Sequence, residues 1–495
     1  MTSSPISAPD AAVSRRAWQA LIVLLTGMFM ALLDTTIVNV ALPTIQTSLN
    51  ASEATLSWII SGYALAFGLA LIPAGRVGDR IGHKWVFFTG LALFTAASLA
   101  CGLAQNDLQL IIARVVQGLA GGIFVPAVTA MIQLMFPPRF RGKAFAIMGS
   151  VIGVSTALGP IVGGLIIEAF GVENGWRLVF WVNLPIGVIA LIAAAILLPA
   201  GPAKAKQAAA PTAAYRVDVV GLVLLSAGLV ALLVPLIEGQ DQGWPLWTYL
   251  VLVAGALLIV AFGAWEVAVA ERGRNPLVPP HLFSHPAFTG GVILALVYFA
   301  AFTSIFFTIS ILWQAGLGHT ALESGLVSIP FAIGSIVGAS QSNRLTERLG
   351  RTVLVGGVSL VAVGLIWVWL VLLLTEPADL TNWLLLAPLF IAGLGSGCFV
   401  APNVSFIVAT VDPAEAGAAS GVVGVMQRIG SAAGIAVVGS VFFGTLVVAG
   451  PGPEALATGF TDSATLAMAV SAGLSVVALL LVFLLPKRVN EPGTH

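Results

Sequence analysis

The feature that most constrains this chain is a series of long apolar segments that recurs from one end to the other. Hydrophobic residues make up 58% of the 495 residues and charged residues only 8%, against about 25% charged residues in soluble domains. About 20 apolar residues cross a bilayer core. Segments of sufficient length run over residues 18–45, 54–74, 85–104, 108–136, 142–168, 177–199, 218–238, 246–270, 286–314, 321–342, 352–374, 382–411, 416–448 and 463–486. We therefore expect an all-α membrane protein with fourteen transmembrane helices, and not an enzyme.

The basic residues predict the orientation of these helices. If the N-terminus is cytoplasmic, every Lys and Arg falls in a cytoplasmic segment except Arg114, Arg177 and Arg428. Lys and Arg are enriched in the cytoplasmic loops of membrane proteins. We expect a multi-pass protein of the cell membrane with both termini in the cytoplasm.

Two internal repeats divide the chain. The segment 75–84 is echoed by 343–352, and the segment 118–125 is echoed by 393–400. Both echoes keep the same membrane direction, which predicts two parallel six-helix halves with two inserted central helices, a transporter design with its site at the midplane. The predicted parts are a cytoplasmic tail (1–17), an N-terminal bundle (18–199), a linker (200–217), the two inserted helices (218–270), a second linker (271–285), a C-terminal bundle (286–486) and a cytoplasmic tail (487–495).

Asp34 is the only charged residue between positions 17 and 52. A carboxylate inside the lipid zone costs about 2.5–3.5 kcal/mol on insertion scales, so it should face the protein interior and have a partner. Helical rises place Asp34 about 24 Å from the inner side and Arg114 about 9 Å from the outer side, which are similar depths in a core about 30 Å thick. We interpret the two as a site for proton coupling and for a cationic substrate; the alternative is a permanent ion pair between two helices.

Aromatic residues can form the wall of a substrate pocket. The candidates are Trp58 and Tyr63 in the second segment, Phe124 in the fourth, and Tyr298, Phe302 and Phe306 in the ninth. The last three are four residues apart and share a helix face. Ring faces beside an acid suit lipophilic cations, although each ring can equally well pack in the core or face lipid. For Arg428 the sequence leaves open whether it pairs with an acid or snorkels towards water.

Several functions find no basis in the sequence. The net charge is zero, so there is no basic patch that would indicate nucleic acid. The five histidines lie in predicted loops or at the tail, and no catalytic or metal-binding set of residues stands out. The sequence has no Walker loop, so nothing in it indicates that ATP drives the protein. We expect a monomer without cofactors, in contact with lipids, small lipophilic substrates and protons. The proton gradient would drive it, at about 2.3 kcal/mol per charge per 100 mV.

Five motifs in order resemble the major facilitator superfamily, in particular its fourteen-helix drug:proton antiporter branch. The segment 75–84 (GRVGDRIGHK) is similar to the signature loop, 114–118 (RVVQG) to the fourth-helix motif, and 149–164 to the antiporter motif. The segments 33–43 (LDTTIVNVALP) and 176–187 (WRLVFWVNLPIG) are similar to the drug:proton branch. The match covers nearly the whole chain.

The resemblance implies roles for particular residues. A gate loop that closes the inner side would consist of Gly75, Asp79, Arg80, Gly82 and Lys84. A tight contact between the halves that limits leakage would involve Gly149, Gly153, Gly159, Pro160, Gly163 and Gly164, although small residues also serve ordinary helix packing. Gln117 would join Arg114 at the substrate site. Three positions depart from the family pattern: His83, where the loop usually has Arg, and Asn343 and Glu347 in the second-half loop, which usually has Gly and Asp.

These observations predict a proton-coupled antiporter that exports lipophilic, preferably cationic, small molecules by alternating access. A dedicated exporter of one endogenous compound, such as an antibiotic or a lipid, is an alternative. The aromatic residues do not distinguish this alternative from a multidrug exporter. A receptor or scaffold that uses a transporter fold without transport is an alternative of another class. A proton-coupled uptake symporter is a third, disfavoured by the Gly-Pro motif of the fifth segment.

Overall fold

The computed structural model describes residues 14–51, 53–199, 218–274, 276–409, 411–412, 415–483 and 485. All regular structure within these residues is helical. The α-helices are α1 (Arg15–Leu49), α2 (Glu53–Ile81), α3 (His83–Leu103), α4 (Asp107–Met135), α5 (Pro138–Trp181), α6 (Asn183–Leu197), α7 (Val219–Asp241), α8 (Leu246–Glu271), α9 (Pro286–Ile311), α10 (Ala321–Leu326), α11 (Ile329–Leu349), α12 (Thr352–Leu374), α13 (Asn382–Ala409), α14 (Ala416–Thr445) and α15 (Pro453–Val482). Short 3-10 turns cover Pro280–Ser284 and Pro377–Asp379, and a π-helical turn, Leu312–Gly316, extends α9.

The described residues contain fourteen spans that are long and apolar enough to cross a membrane, as the sequence predicts. The short helix α10 and the following α11 together supply one span, over residues 322–342. Pro330 lies at the first turn of α11, a position at which the missing N–H of proline costs nothing. A break in this span is therefore tolerated without loss of the helix that follows.

The two halves repeat one packing pattern. In the first half α4 packs between α2 and α3, α1 packs on α5, and α3 packs on α6. In the second half α13 packs between α11 and α12, α9 packs on α14, and α12 packs on α15. Because each pair in one half has its counterpart in the other, the structure has two equivalent six-helix bundles, with α7 and α8 inserted between them.

The halves meet along two seams. One seam joins α2 to α14, and the other joins α5 to α11 and α13. The inserted helices α7 and α8 pack on each other, and α7 also touches both α2 and α14. The inserted pair therefore lies against the α2–α14 seam and contacts both halves.

Two connections differ from the sequence interpretation. The predicted gate loop at 75–84 is mostly helical, because α2 continues through Ile81 and α3 begins at His83. Only Gly82 lies between them, with φ at 98°, a conformation that glycine adopts without strain. Similarly, the predicted loop after residue 168 is reduced to a kink at Gly171 (φ 74°, ψ 177°), after which the helix resumes. In both places one glycine turns the chain where a longer loop is expected.

The predicted linker at 200–217, the last residues of the predicted C-terminal bundle, most of the N-terminal tail and all of the C-terminal tail lie outside the described residues. The second linker, 271–285, contains the 3-10 turn Pro280–Ser284. The last span begins at Pro453, ten residues before the predicted start at 463.

Candidate functional site

Asp34 lies in the interior of the first bundle, where its carboxylate is 0% exposed. Arg114 Nη1 in α4 donates to Asp34 Oδ2 at 2.5 Å. The other oxygen, Oδ1, accepts from Gln117 Nε2 at 2.9 Å and from Asn183 Nδ2 at 2.9 Å. Both amides also donate to Ser98 Oγ, at 2.8 and 3.3 Å. Three side chains from two helices, α4 and α6, therefore hold a single acid, and one hydroxyl from α3 supports the two amides.

Arg114 is itself 1% exposed and has several partners besides Asp34. Its Nη1 donates also to Gln117 Oε1 at 2.7 Å, and its Nε donates to the carbonyl oxygen of Ile59 at 3.1 Å. The guanidinium carbon lies 4.1 Å from the centre of the Tyr63 ring, a cation–π contact. A buried ion pair is tolerated only when its remaining donors and acceptors find partners, and these contacts supply them.

The local sequence explains why these side chains meet. Arg114 and Gln117 are three residues apart on α4, so they lie on one face of that helix. Asn183 is the first residue of α6, directly after the break that ends α5 at Trp181. The depth argument from the sequence anticipates that Asp34 and Arg114 can meet. The depth argument does not identify Asn183 as a site residue. The sequence signal that could have identified it is that Asn183 is a polar residue within the otherwise apolar stretch 178–200.

The arrangement limits what can touch Asp34. The acid is enclosed by its own bundle, so a substrate does not reach it in this conformation. Its carboxylate is paired with Arg114 and accepts hydrogen bonds from the amides of Gln117 and Asn183. The geometry thus contains the ion pair that the sequence offers as one alternative, while proton carriage by Asp34 remains a prediction.

Asp79 in α2 reaches across to the second half. Its Oδ1 accepts from the backbone N–H of Gly417 at 3.1 Å and its Oδ2 from that of Ala418 at 3.3 Å, at the start of α14. A carboxylate at a helix N-terminus is stabilised by the free N–H groups and the helix dipole. His83 Nε2 also lies 3.2 Å from Asp79 Oδ1. His83, which stands where the family usually has Arg, therefore also contacts Asp79.

The glycines of the gate segment permit close packing. A Cβ added at Gly75 would overlap the carbonyl of Gly417, and one added at Gly417 would meet the carbonyl of Gly75. The backbones of α2 and α14 are therefore in direct contact there. Lys84 holds a different helix, because its Nζ donates to the carbonyl oxygens of Ala195 at 3.0 Å and Leu198 at 2.8 Å at the end of α6. Arg80 lies in the last turn of α2.

The glycine motif of α5 faces two neighbours. Added Cβ atoms at Gly149, Gly153 and Gly164 would press on α13, α11 and α10 of the second half. Those at Gly159 and Gly163 would press on α1 in the first half. Pro160 stays within the helix and packs against Gly325 of α10. The motif therefore contributes both to the seam between the halves and to the packing of the first bundle.

A small cavity of about 10 Å³ lies at the second seam, between α5, α9, α11 and α13. Its lining consists of Gly149, Ile152, Gly153, Phe299, Phe302, Phe331, Ser335, Ser396 and Val400. Of the aromatic residues predicted for a substrate pocket only Phe302 is among them. Phe306 lies one layer away, with its ring centre 5.1 Å from that of Phe331. Phe331 and Phe299 were missed, because sequence does not show which face of a helix looks across a seam.

The other predicted aromatics lie elsewhere in this conformation. Phe124 is buried in the first bundle between Phe87 and Phe94. Tyr298 is buried with its ring centre 4.2 Å from that of Phe399. Tyr63 lies beneath Arg114, and Trp58 is 36% exposed. For Phe124 and Tyr298 these contacts match the packing alternative, whereas Tyr63 belongs to the surroundings of the ion pair.

Arg428 of α14 lies at the α2–α14 seam. Its guanidinium carbon stands 4.1 Å from the centre of the Phe67 ring in α2. This contact joins the two halves and differs from both alternatives that the sequence left open, an acidic partner and snorkelling. The neighbouring rings of Phe67 and Tyr63, with centres 5.9 Å apart, separate Arg428 from Arg114.

Two parallel six-helix bundles that meet at a midplane define the fold of a secondary transporter. Residues 24–435 match the model of the Major Facilitator Superfamily, and the chain belongs to this superfamily. It is therefore a member of a superfamily of transporters.

Its relatives include exporters and resistance proteins. The probable actinorhodin transporter of Streptomyces coelicolor is 37% identical over 435 residues, which cover 87% of this chain and 73% of that protein. The puromycin resistance protein of Streptomyces alboniger is 33% identical over 479 residues, which cover 95% and 91%. The crystal structure of the human organic anion transporter MFSD10 aligns with a TM-score of 0.63 over 94% of this chain and 99% of that one. Its 16% sequence identity makes this a likeness of fold alone.

Proposed function

We propose that this protein is a proton-coupled antiporter that exports lipophilic small molecules by alternating access. The observation that carries the proposal is the ion pair between Asp34 and Arg114, buried in one bundle at the depth of the membrane interior. Ionisable groups inside a membrane mark proton or substrate pathways. The second bundle has Leu389 at the position that would repeat Arg114, which favours a specialised role over general scaffolding.

Proton coupling requires that Asp34 be charged in one state and neutral in another. Burial disfavours a charged acid, whereas a nearby cation and hydrogen-bond donors favour it. A rearrangement that separates Asp34 from Arg114 would therefore change which form is stable. Rocking of the halves, with Asp79 released from the start of α14, is the movement that we assign to this step.

The proposed substrate site is the cavity that Phe299, Phe302 and Phe331 line. Its volume of about 10 Å³ is far below the range of roughly 300–1,000 Å³ for ligand pockets, so the site is closed in this conformation and binding of any substrate requires the seam to widen. The lining favours lipophilic compounds. Ring faces favour cations, but Arg114 already matches the charge of Asp34, so a preference for cationic substrates depends on the rings.

A dedicated exporter of one compound is the second candidate. Two of the relatives carry the names of single antibiotics, actinorhodin and puromycin. A non-transporting receptor or scaffold finds less support, because both the inter-bundle contact of Asp79 and the buried ion pair are present.

The test is transport by the purified protein in vesicles with an imposed pH gradient. The probes are puromycin, actinorhodin, a lipophilic cationic dye and a neutral dye of similar size. We expect substrate to move against its gradient only when a proton gradient is present, and to stop when an ionophore collapses that gradient. Transport of several probes would support a multidrug exporter, and transport of one would support a dedicated exporter. Absence of transport for every probe would favour the scaffold alternative.

A further inference from the structure

The inserted helices α7 and α8 carry two acids at the same end. Asp218 lies directly before α7, and Glu266 lies near the end of α8. Glu266 is 2% exposed although its helix is apolar and lies at the outside of the bundles. A buried acid in such a helix is costly unless it is paired, hydrogen-bonded or neutral, so its surroundings decide its state.

The two carboxyl groups face each other over Gly221. A Cβ added at Gly221 would lie 2.6 Å from Asp218 Oδ2 and 2.6 Å from Glu266 Oε1. The absence of a side chain at Gly221 therefore leaves room for both acids. The two groups also interact with each other electrostatically.

The hydrogen bonds of the two acids are unequal. Asp218 accepts from the N–H of Gly221 at 2.9 Å and from Trp265 Nε1, which lies 3.0 Å from Oδ1 and 2.9 Å from Oδ2. Glu266 Oε2 accepts from the N–H of Val278 at 2.7 Å. Glu266 Oε1 is buried and has no hydrogen-bond partner among the described residues. Asp218 is thus held as an acceptor, while the buried Glu266 Oε1 lies within reach of the Asp218 side chain, where a hydrogen bond requires a proton on one of the two groups.

Among the residues that the structure describes, the charged groups around Glu266 do not neutralise both acids by contact. Arg76 of α2 acts on Glu266 electrostatically, but its side chain donates to the carbonyl oxygens of Leu277, at 2.6 Å, and Pro276. Arg272, directly after α8, has its guanidinium carbon 5.9 Å from the centre of the Trp265 ring. In the adjoining 3-10 turn, His281 pairs with Glu415 at 2.9 Å, and the acidic residues of α7, Glu238 and Asp241, lie at its opposite end.

Glu266 is buried and Asp218 is partly exposed. Two adjacent carboxylates repel each other, and a proton shared by the pair removes this repulsion. A proton on Glu266 Oε1 would let that oxygen donate to Asp218 Oδ2, and Oε2 would continue to accept from Val278. We propose that Asp218 and Glu266 form a second proton-binding site, which holds one shared proton and lies on the predicted cytoplasmic side of the inserted helices.

The position of this site links it to the inner seam. Glu266 holds Val278, and Arg76 holds the two residues immediately before it, in the connection that leads to α9. Arg76 is one residue from Gly75, where α2 touches α14. If α2 moves away from α14 to open the inner side, it pulls on this connection, exposes the acids to the cytoplasm and lets the proton leave. This link to the transport cycle rests on the proposed function, whereas the binding of a proton does not.

The first experiment uses the purified full-length protein and its variant Glu266→Gln. An amide can donate to Asp218 and accept from Val278 as a protonated acid does, so Glu266→Gln should fold with wild-type stability at about pH 6. As the pH rises to about 9 the wild type should lose the shared proton, and its Tm should fall relative to that of Glu266→Gln. The sign follows because the folded state favours the protonated pair. Glu266→Gln should not show this loss.

The matched control is Glu271→Gln, which removes the same charge from an exposed position at the end of the same helix. It should keep the wild-type pH profile. Glu266→Ala, which can neither donate nor accept, should be less stable than the wild type at both pH values. If Glu266→Gln is as destabilised as Glu266→Ala, then Glu266 is ionised and the proposal is wrong.

Infrared spectroscopy tests the proton directly. The carbonyl stretch of a protonated carboxylic acid should be present in the wild type and in Asp34→Asn, and should decrease in Glu266→Gln. An unchanged band in Glu266→Gln overturns the shared proton. In vesicles, Glu266→Gln should bind substrate but transport it at least about tenfold more slowly, because its neutral side chain cannot release a proton. Wild-type transport by this variant would refute the link to the cycle. A wild type that transports nothing would refute the proposed function, while the infrared result would still decide the proton site.

Discussion

At the scale of single residues, the charges of the membrane interior are distributed unequally between two similar bundles. The first bundle contains the acid Asp34 with its partner Arg114, whereas the second has the buried, apolar Leu389 at the corresponding place. The second bundle contributes Arg428, which lies on an aromatic ring of the first. The two bundles have similar folds but different charged residues in their interiors. Substitutions at Asp34 distinguish a proton carrier from a structural ion pair.

Asp34→Asn keeps the shape of the side chain and removes its charge and titration. If Asp34 carries the proton, the variant should fold, and export driven by a pH gradient should stop, while exchange of substrate at equilibrium, which moves no net proton, continues. If the pair is only structural, Asp34→Asn leaves Arg114 buried without its counter-charge, at a cost of about 3–5 kcal/mol. Folded yield would then collapse, and Asp34→Asn with Arg114→Gln would partly restore it.

The measurement is folded yield and gradient-driven export for the single and double variants. The control is Asp379→Asn, the same change at an exposed acid in a 3-10 turn, which should leave both quantities unchanged. A folded Asp34→Asn protein with normal gradient-driven export would rule out Asp34 as the proton carrier.

Sequence predicted these residues to different extents, for a physical reason. Depth along a helix follows from the residue count, so the meeting of Asp34 and Arg114 could be foreseen. The direction of a side chain around the helix axis depends on which neighbour packs where. In an apolar membrane helix nearly every face is apolar, so Phe124 could not be recognised as a core residue, nor Phe331 as a cavity residue.

At the scale of helices, the inner seam depends on the contact of two backbones. Gly75 of α2 and Gly417 of α14 leave no room for a Cβ between them, and Asp79 caps α14 at the same level. The repeat of 75–84 at 343–352 predicted that this segment matters to both halves. Its helical form was not predicted, because three glycines in ten residues indicate a turn as readily as close packing.

Gly75→Ala should open the inner seam. The added methyl group would press on the carbonyl of Gly417, and overpacking of this kind costs about 1–3 kcal/mol. In a Ser420→Cys background, where the replaced serine is buried in α14, Gly75→Ala should speed the reaction of the thiol with a membrane-impermeant reagent added from the cytoplasmic side. Gly356→Ala in α12, where an added Cβ meets nothing within 4 Å, should leave the rate unchanged. Equal rates for the two variants would contradict the role of this contact in closing the seam.

At the scale of the whole molecule, the two bundles and the inserted pair form one arrangement in which α7 contacts both sides of a seam. The repeated packing of helices was predictable, because two sequence repeats at equivalent places and in the same membrane direction require parallel bundles. The contacts of α7 and α8 were not, since no repeat relates them to either half. Two hydrogen bonds join this pair to the rest of the chain: Trp244 donates to Ser440 of α14, and Glu266 accepts from Val278. These bonds lie at opposite ends of the pair and are visible only in three dimensions.

Orientation in the membrane is the property of the whole molecule that the basic residues predict. Both native cysteines, Cys101 and Cys398, are buried, so single introduced cysteines at exposed positions should report their own side. Gln105, between α3 and α4, and Gln242, between α7 and α8, are predicted to lie outside, whereas Glu271 at the end of α8 is predicted to lie inside. Gln242 is preferable to the adjacent Gly243, because Gly243 has φ at 69°, a conformation in which a cysteine would be strained.

In intact cells, a membrane-impermeant thiol reagent should label Gln105→Cys and Gln242→Cys but not Glu271→Cys, and in inside-out vesicles the pattern should reverse. Because Gln242 and Glu271 lie at opposite ends of α8, this pair also tests whether α8 crosses the membrane. Labelling of both from one side would mean that the inserted helices do not span it. Labelling of Glu271→Cys alone in intact cells would show that the whole molecule has the opposite orientation in the membrane. Asp218 and Glu266 would then lie at the outer surface, and this result would contradict a site that releases protons to the cytoplasm.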